Sequence, residues 1–537
     1  MTKSGGASPL HSPPVPASTP PAPPPVFGRA DIRKKTRSRT TRRLFRIGLV
    51  VAAAIVVIAG AGIGYAEYIS HKIHRVVVND LVAQPPSGVE NIVLVGSTSR
   101  CALKQQNKAF GLCSEGVTGV NSDVVMILHV DPTKHTAAIL SIPRDLFVPN
   151  ARATGANKID AALVEGPQQL VSAIEEDFGI PINHYVELNF DSFQGVVNAL
   201  GGIKMYFPEP VFDAYSGLNV PAAGCRPLNG FQALEVVRAR HLVYKGPNVK
   251  TNNHADWTPD PQSDLSRIRR DHEFLRVLAT AVDKKGLGNP ITDHDLLLAV
   301  APQLQVDSAL SLSSMFGLVT TFHDINIQKT PQQTLPVIVL SSLSYLYQGY
   351  DYGNVELTSQ PADLQAISSF LGIGTDTNTM TGKLLPSPGS VTVSVLNGTG
   401  LTGQAGKTAS ALDALGFNVV GEGDSPASGS LSETYVYYSS PSHLADAEQV
   451  LHSLSGTATL GKAPTSFGAD VTVVTGSNFA VNAPTPAKSS SSGSKTTATT
   501  PTTSAPTVST LQAPTPLSQA LAPFDPRSCT ASGAEGS

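Results

Sequence analysis

Residues 47–66, IGLVVAAAIVVIAGAGIGYA, run twenty positions without a charge. At ~1.5 Å of rise per residue, a helix of that length matches the ~30 Å hydrocarbon layer of a bilayer. The sequence therefore predicts a single N-terminal transmembrane helix. The segment just before it, RADIRKKTRSRTTRRLFR (29–46), carries nine Lys or Arg against one Asp. Such a block keeps the N-terminus in the cytoplasm and sends everything after residue 67 outside. A cleaved signal peptide has a shorter apolar core nearer the N-terminus, so this run behind a 46-residue head reads as an uncleaved anchor. Topology accounts for the basic charge, and a net charge of -3 gives no bulk attraction to nucleic acid.

Four cysteines fit an oxidising exterior. Cys101 and Cys113 flank the polar loop RCALKQQNKAFGLC and are the expected bridge. Cys225 and Cys529 stay open, because Cys529 sits in a tail with no sign of a core.

A length of 537 residues exceeds the ~100–200 of one domain. The expected division is a disordered basic cytoplasmic segment (1–46), the membrane helix (47–66), a juxtamembrane connector (67–89), a large folded domain (90–372), a linker (373–390), a small folded domain (391–480) and a disordered tail (481–537). The tail is Ser, Thr and Pro rich and cannot bury enough apolar surface to offset the entropy of ordering. In the large domain, strand-like ENIVLVGS, VVMILHVD and AAILSI precede helix-like QQLVSAIEEDF, strand-like HYVELNF and helix-like SFQGVVNALGG. That alternation predicts an α/β fold, a three-layer α/β/α domain around a central mixed sheet. From SVTVSVLNGTG onward the small domain reads as βαββαβ.

Within LSIPRDLFVPN (140–150), an apolar strand ends by projecting Arg144 and Asp145 past Pro143. Strand ends are where α/β domains place ligand groups. VVRARH (236–241) sets Arg238 and Arg240 two apart, on one side of an extended segment. DLSRIRRDH (264–272) sets Asp264, Arg267 and Arg270 on one helix face and turns Arg269 elsewhere. Two like charges on a helix face are destabilising, so an anion between Arg267 and Arg270 is expected. Five arginines with planar forks point to a diphosphate. Just outside a membrane, the diphosphates at hand are lipid carriers of cell-wall polymers.

These residues resemble the LytR-CpsA-Psr family of cell-wall glycopolymer ligases. The resemblance runs through ENIVLVGSTSR, SDVVMILHVDP, LSIPRDLFVP, NKIDAALVEGP, FGIPINHYVELNFDSFQGVVNALGGI, AGCRPLNGFQALEVVRARH and DLSRIRRDHEFL. VTVSVLNGTGLTGQAGKTASALDALGFNVVG resembles the LytR C-terminal domain that often follows. It implies a phosphotransferase that moves a glycopolymer from a polyprenyl diphosphate carrier to peptidoglycan through a phosphodiester bond. Arg144, Arg238, Arg240, Arg267 and Arg270 would grip the diphosphate. Asp123 would face Mg²⁺ (or Mn²⁺), and Arg100, Asp145 and Asp264 would complete or orient the polar site. Asp264 stands either as the base for the accepting hydroxyl or as the support of Arg267. The apolar sheet and helices behind the arginines would take part of the prenyl chain. A pyrophosphatase that passes the glycan to water, and a weakly active lipid-diphosphate-binding scaffold, are the alternatives.

The chain departs from the family pattern at Thr98, where many members carry Asp, and at Asn121, where they carry Arg. The first change removes a metal-side carboxylate and the second a positive charge. Trp257, in the long insert after the arginine pair, has packing in an exposed loop as its ordinary role and sugar stacking as the rival. His241 reads as scaffold rather than base, Lys158 and Asp160 as residues near a helix start that touch ligand or else cap the helix or face the surface, and the NGTG turn (397–400) as a tight connection rather than an anion site.

Overall fold

The alternation in ENIVLVGS becomes a strand whose two faces bury against different partners. This computed structural model describes residues 64–482 and Cys529, except residues 66, 99, 102–111, 117, 285–297, 299, 326–329, 341–343, 427–428 and 430. The membrane helix expected at 47–66 lies outside the described residues save for its last few, as does nearly all of the tail. Among the described residues no helix is long and apolar enough to cross a membrane.

The large domain is built on seven strands: β1 (His74–Val76), β2 (Glu90–Ser97), β3 (Ser122–Asp131), β4 (Thr136–Ile142), β5 (His184–Leu188), β6 (Gln305–Asp307) and β7 (Gln332–Thr334). Their order in the sheet is β1-β6-β5-β2-β3-β4-β7. β2, β3 and β4 run antiparallel in succession, whereas β5 lies parallel to β2 and β7 parallel to β4. The sheet is therefore mixed, as expected.

Helices cover it from both sides. Val93, Val95, Val125 and Ile127 share a core with Leu170, Val171 and Ile174 of α1 (Pro167–Phe178). Their neighbours Leu94, Gly96, Val124 and Met126 line a cavity with residues of α2 (Phe190–Ala199), α3 (Gly230–Arg238) and α4 (Ser263–Lys284). The helix read from SLSSMFGLVTTFH is α5 (Leu312–Asp324), and α6 (Ala362–Leu371) closes the domain.

Both disulfides are present. Cys101 pairs with Cys113 as expected, and the open pair joins as Cys225–Cys529, tying the end of the chain to the strand Gly224–Leu228.

The small domain holds β8 (Thr392–Asn397), α7 (Gln404–Ala414), β9 (Asn418–Asp424), β10 (Thr434–Tyr438), α8 (Leu444–Leu451), β11 (Ala458–Lys462) and β12 (Val471–Thr475). Its sheet order is β9-β8-β12-β10-β11. β11 is an addition to the expected βαββαβ pattern. This edge strand faces the large domain, where Asn150 Nδ2 donates to Lys462 O and Lys462 N–H donates to Asn150 Oδ1, both at 2.9 Å. The stretch expected as a linker is packed too: Thr379 donates to Gly179 O and is bonded to Glu448 of α8.

Buried acids crowd this seam. Burial pushes Glu433 up to about 8 and Glu448 up to about 7, and Asp177 and Asp363 well above the usual carboxylate range. Each holds its proton to higher pH in the folded than in the unfolded chain, so stability falls as pH rises from ~4.5 through those folded values. Buried His272, lowered by burial to about 4, works in the opposite direction, but only below the ~6.5 at which it titrates unfolded. Acidifying from pH 8 to 6.5 should therefore raise the unfolding free energy, by up to ~1.4 kcal/mol per pH unit for each such acid, and the melting temperature with it. Glu433→Gln should flatten that slope, as read by calorimetry across the same window.

Candidate diphosphate site

Sheet topology brings the site together at one end. β2 leaves at Ser97, β3 enters at Ser122 directly opposite, and Ile142 at the end of β4 pairs with Val125. Thr98, Asp123 and Arg144 thereby meet, although they are distant in sequence. Leu188 at the end of β5 pairs with Gly96, so Asn189, the N-cap of α2, and Phe190 lie at the same end. The helix α3 starts from a capping box of Asn229 and Gln232 and carries Arg238 in its last turn, where a cation suits the helix dipole.

The arginines are gathered by carboxylates. Arg144 hydrogen-bonds Asp123 through Nη1 and lies 3.6 Å from Asp145 through Nε. Burial pulls its pKa down, but Asp123, Asp145, Asp160 and Asp264 outweigh that and raise it. Asp145 also meets Lys158 Nζ at 3.0 Å and Arg240 Nη2 at 2.6 Å. Burial would raise the Asp145 carboxyl, and these cations hold it lower than usual. Arg240 Nε reaches Asp264 at 2.9 Å, and Arg267 reaches the same carboxylate at 3.2 Å. One chain of alternating charge thus links Asp123, Arg144, Asp145, Arg240, Asp264 and Arg267.

Two expectations change. Arg238 and Arg240 do not share an extended strand, because α3 continues to Arg238 and only Ala239 turns extended. Arg240 goes to the carboxylates, while Arg238 lines the cavity with its guanidinium 4.8 Å from the Phe190 ring. Burial lowers Arg238 to about 10, which still leaves it charged at neutral pH. Arg267 and Arg270, expected to bracket an anion, are each held by protein acceptors. Arg267 is 2% exposed and held by Asp264 and, at 3.9 Å, Asp271, whereas Arg270 donates to Ala239 O and meets Asp260 at 3.5 Å. Protein acceptors answer the like-charge repulsion. Arg269 is exposed, as expected.

Asp264 pairs with two arginines. It is buried beneath Arg240 and Arg267 as their support. Arg100 sits at the rim, donating to Thr98 O at 3.4 Å with its guanidinium 6.0 Å from the Phe190 ring. His241 is exposed beside Tyr215. Trp257 is 6% exposed and donates to Thr251 O, so it packs within its loop. In the NGTG turn, Asn397 Oδ1 accepts the Thr399 N–H and its Nδ2 donates to Leu401 O, a self-contained connection.

The cavity behind these charges has about 950 Å³ of empty space, open mouth included. Leu94, Met126, Val186, Phe193, Leu234 and Phe274 are among its walls, and Asp123, Arg238 and Asp271 are its ionisable lining residues. Asp271 and Glu356 escaped the sequence reading. Asp271 is buried, which raises it to about 8 despite Arg267 and Arg270, so it stays protonated at neutral pH. Asp160, raised by burial to about 6, is not a surface residue but accepts from Asn121 Nδ2 at 3.2 Å. Glu356 is buried and raised to about 8, and its N–H donates to Asp145 O at 2.9 Å.

The donors at this end of the sheet differ in what they offer a divalent metal. Thr98 Oγ1 accepts the Asn121 N–H at 3.0 Å and is buried, so its hydroxyl is committed to backbone. Asp145 and Asp264 are saturated by cations. Asp123 is the carboxylate at the cavity that fits. One carboxylate with waters and ligand phosphates is a set that Mg²⁺ accepts.

The LytR_cpsA_psr family model matches residues 68–362. A second, described as LytR cell envelope-related transcriptional attenuator, matches residues 390–479. The chain is 28% identical over 349 residues to "Probable cell wall biosynthesis protein LcpB" of Corynebacterium glutamicum, covering 63% of this chain and 73% of that one. It is 26% identical over 298 residues to the polyisoprenyl-teichoic acid–peptidoglycan teichoic acid transferase TagV of Bacillus subtilis, covering 52% of this chain and 68% of that one. Among solved structures, a LytR-Csp2A-Psr enzyme from Actinomyces oris aligns with a TM-score of 0.41 at 26% identity, covering 49% of this chain and 87% of that one. With more than half of its length matched by the first of these families, the chain belongs to the LytR-CpsA-Psr family.

Proposed function

We propose that this chain is a phosphotransferase that moves a glycopolymer from a polyprenyl diphosphate carrier to peptidoglycan through a phosphodiester bond. The supporting observation is the amphipathic cavity, apolar along its walls and charged where Asp123 and Arg238 line it, with Arg144 bound to Asp123. A ligand with a hydrocarbon chain and an anionic end has that shape. Each buried Å² of prenyl chain contributes ~25 cal/mol before ordering costs. The names of relatives such as TagV support the same chemistry.

In the transfer, an acceptor sugar hydroxyl forms a bond to the glycan-bearing phosphorus while the bond from that phosphorus to the bridging oxygen breaks. The lipid monophosphate leaves with the electron pair and takes up the proton that the hydroxyl loses. Arg144 and Arg238 offset the charge that grows on the phosphate oxygens. Asp145 and Asp264 fix the cations around them. Mg²⁺ or Mn²⁺, held by Asp123, would supply Lewis-acid neutralisation of the diphosphate.

The membrane is part of this reading. The basic block at 29–46 and the uncharged run at 47–66 support a single-pass protein of the cell membrane with a cytoplasmic N-terminus and both folded domains outside.

The test supplies full-length chain in bilayers with a lipid-linked glycan analogue, peptidoglycan and a Mg²⁺ titration. A phosphodiester-linked glycan is expected on the peptidoglycan, and Asp123→Ala should abolish the metal response with the melting temperature nearly unchanged. Glycan phosphate released to water regardless of peptidoglycan would instead mean a pyrophosphatase. Binding without turnover would mean a scaffold.

A further inference from the structure

The seam between the two domains reaches the loop that carries Arg144 and Asp145. The strand Glu356–Thr358 is the connection. At one end Glu356 N–H donates to Asp145 O at 2.9 Å, and Leu146 forms a bridge with Glu356. At the other end Thr358 faces the small domain. Its N–H and its hydroxyl both donate to Glu433 Oε1, at 3.3 and 2.6 Å, and the hydroxyl also reaches Ala458 O at 2.9 Å.

The segment leaving the loop is held from the same side. Phe147 is buried edge-on to Tyr345, Tyr347 and Tyr352, with centroids 4.9, 5.2 and 5.0 Å away. Leu396, Leu431 and Tyr435 of the small domain belong to the same cluster. Beyond it, Asn150 is pinned to β11 by its paired bonds with Lys462. Pro149 fits against Gly461, where an added Cβ would lie 2.8 Å from Pro149 Cγ and 2.8 Å from the Tyr437 ring.

We propose that the small domain positions the diphosphate end of the site, with Glu433 as a positioning residue that acts through Thr358 and Glu356 on Asp145. Asp145 gathers Arg144, Lys158 and Arg240, so its placement sets theirs. Directional bonds in a dry seam transmit placement because their alternative is an unpaired buried group. The inference rests on reading that end of the sheet as the diphosphate site.

The experiment uses the full-length chain and two readouts: hydrogen–deuterium exchange of residues 144–152, and Mg²⁺-dependent turnover of geranylgeranyl diphosphate resolved into kcat and KM. Glu433→Leu should speed exchange in that segment and lower kcat about tenfold at nearly constant KM, an order of magnitude less than the ~10²-fold of a 1 Å misplacement. Glu433→Gln, whose Oε1 can accept the same two bonds, should restore both. Gly461→Ala, which leaves Glu433 in place, should speed the same exchange and decides the matter should Glu433→Leu fail to fold. Tyr438→Phe removes a seam bond that ends on Glu176 O of α1 and should leave exchange at 144–152 unchanged. Unchanged exchange in both Glu433→Leu and Gly461→Ala would overturn the proposal, as would an equal effect from Tyr438→Phe. Absence of turnover in the unaltered chain would count against the diphosphate reading, while the exchange results still decide the positioning.

Discussion

Arg144→Lys should lower transfer by about 10²–10³ in kcat, the scale of losing one preorganised donor at a developing charge. The guanidinium addresses two carboxylates through different nitrogens, Asp123 through Nη1 and Asp145 through Nε. An ammonium is a single point and cannot reproduce that fork. It would also leave Asp123 less well placed for a metal. Arg269→Ala is the control, because Arg269 is exposed and its bond is local, to Ser266 at 2.8 Å. Turnover of a lipid diphosphate by the two variants checks both, and comparable losses would show that position in the site does not matter.

The second large effect is on stability. Arg267→Ala should cost about 3–5 kcal/mol, the range for removing one partner of a buried ion pair. Burial disfavours the Arg267 charge, but Asp264 and Asp271 outweigh it and raise its pKa. Removing it strands Asp264 beside Arg240 alone and leaves Asp271 in the cavity wall without that cation. Denaturant unfolding should show a lower midpoint with little change in m. A variant that melts normally yet turns over slowly would return Arg267 to the direct phosphate-gripping role that its motif implies.

The sheet could be read from sequence because its signal is local. Val93 and Val95 alternate with Leu94 and Gly96, and each set buries on its own face. The charge network could be read only as a list of candidates. Asp145 and Arg240 are 95 residues apart, and their pairing follows from where β4 and α3 end. The expected extended segment at Arg238 failed because Ala233, Leu234, Val236 and Val237 continue a buried helical face from the Asn229 cap, which overrides the two-residue spacing. β11 was missed because TATLGK is short, small and interrupted by glycine. Its strand character comes from pairing with Thr434–Tyr438 and from contact with Pro149. Asp271 and Glu356 carry no motif that separates them from solvent-facing acids, and only burial makes them distinctive.

Trp257 is the sole tryptophan in the sequence. It sits edge-on to His254 at 4.7 Å, three residues before the Asp260 that anchors Arg270. Excited at the red edge, where tyrosine does not absorb, the protein's emission therefore comes from one place, the loop that secures Arg270. Its emission maximum reads how dry that loop is, so loosening of the segment that anchors Arg270 can be followed optically, in real time and in the presence of lipid.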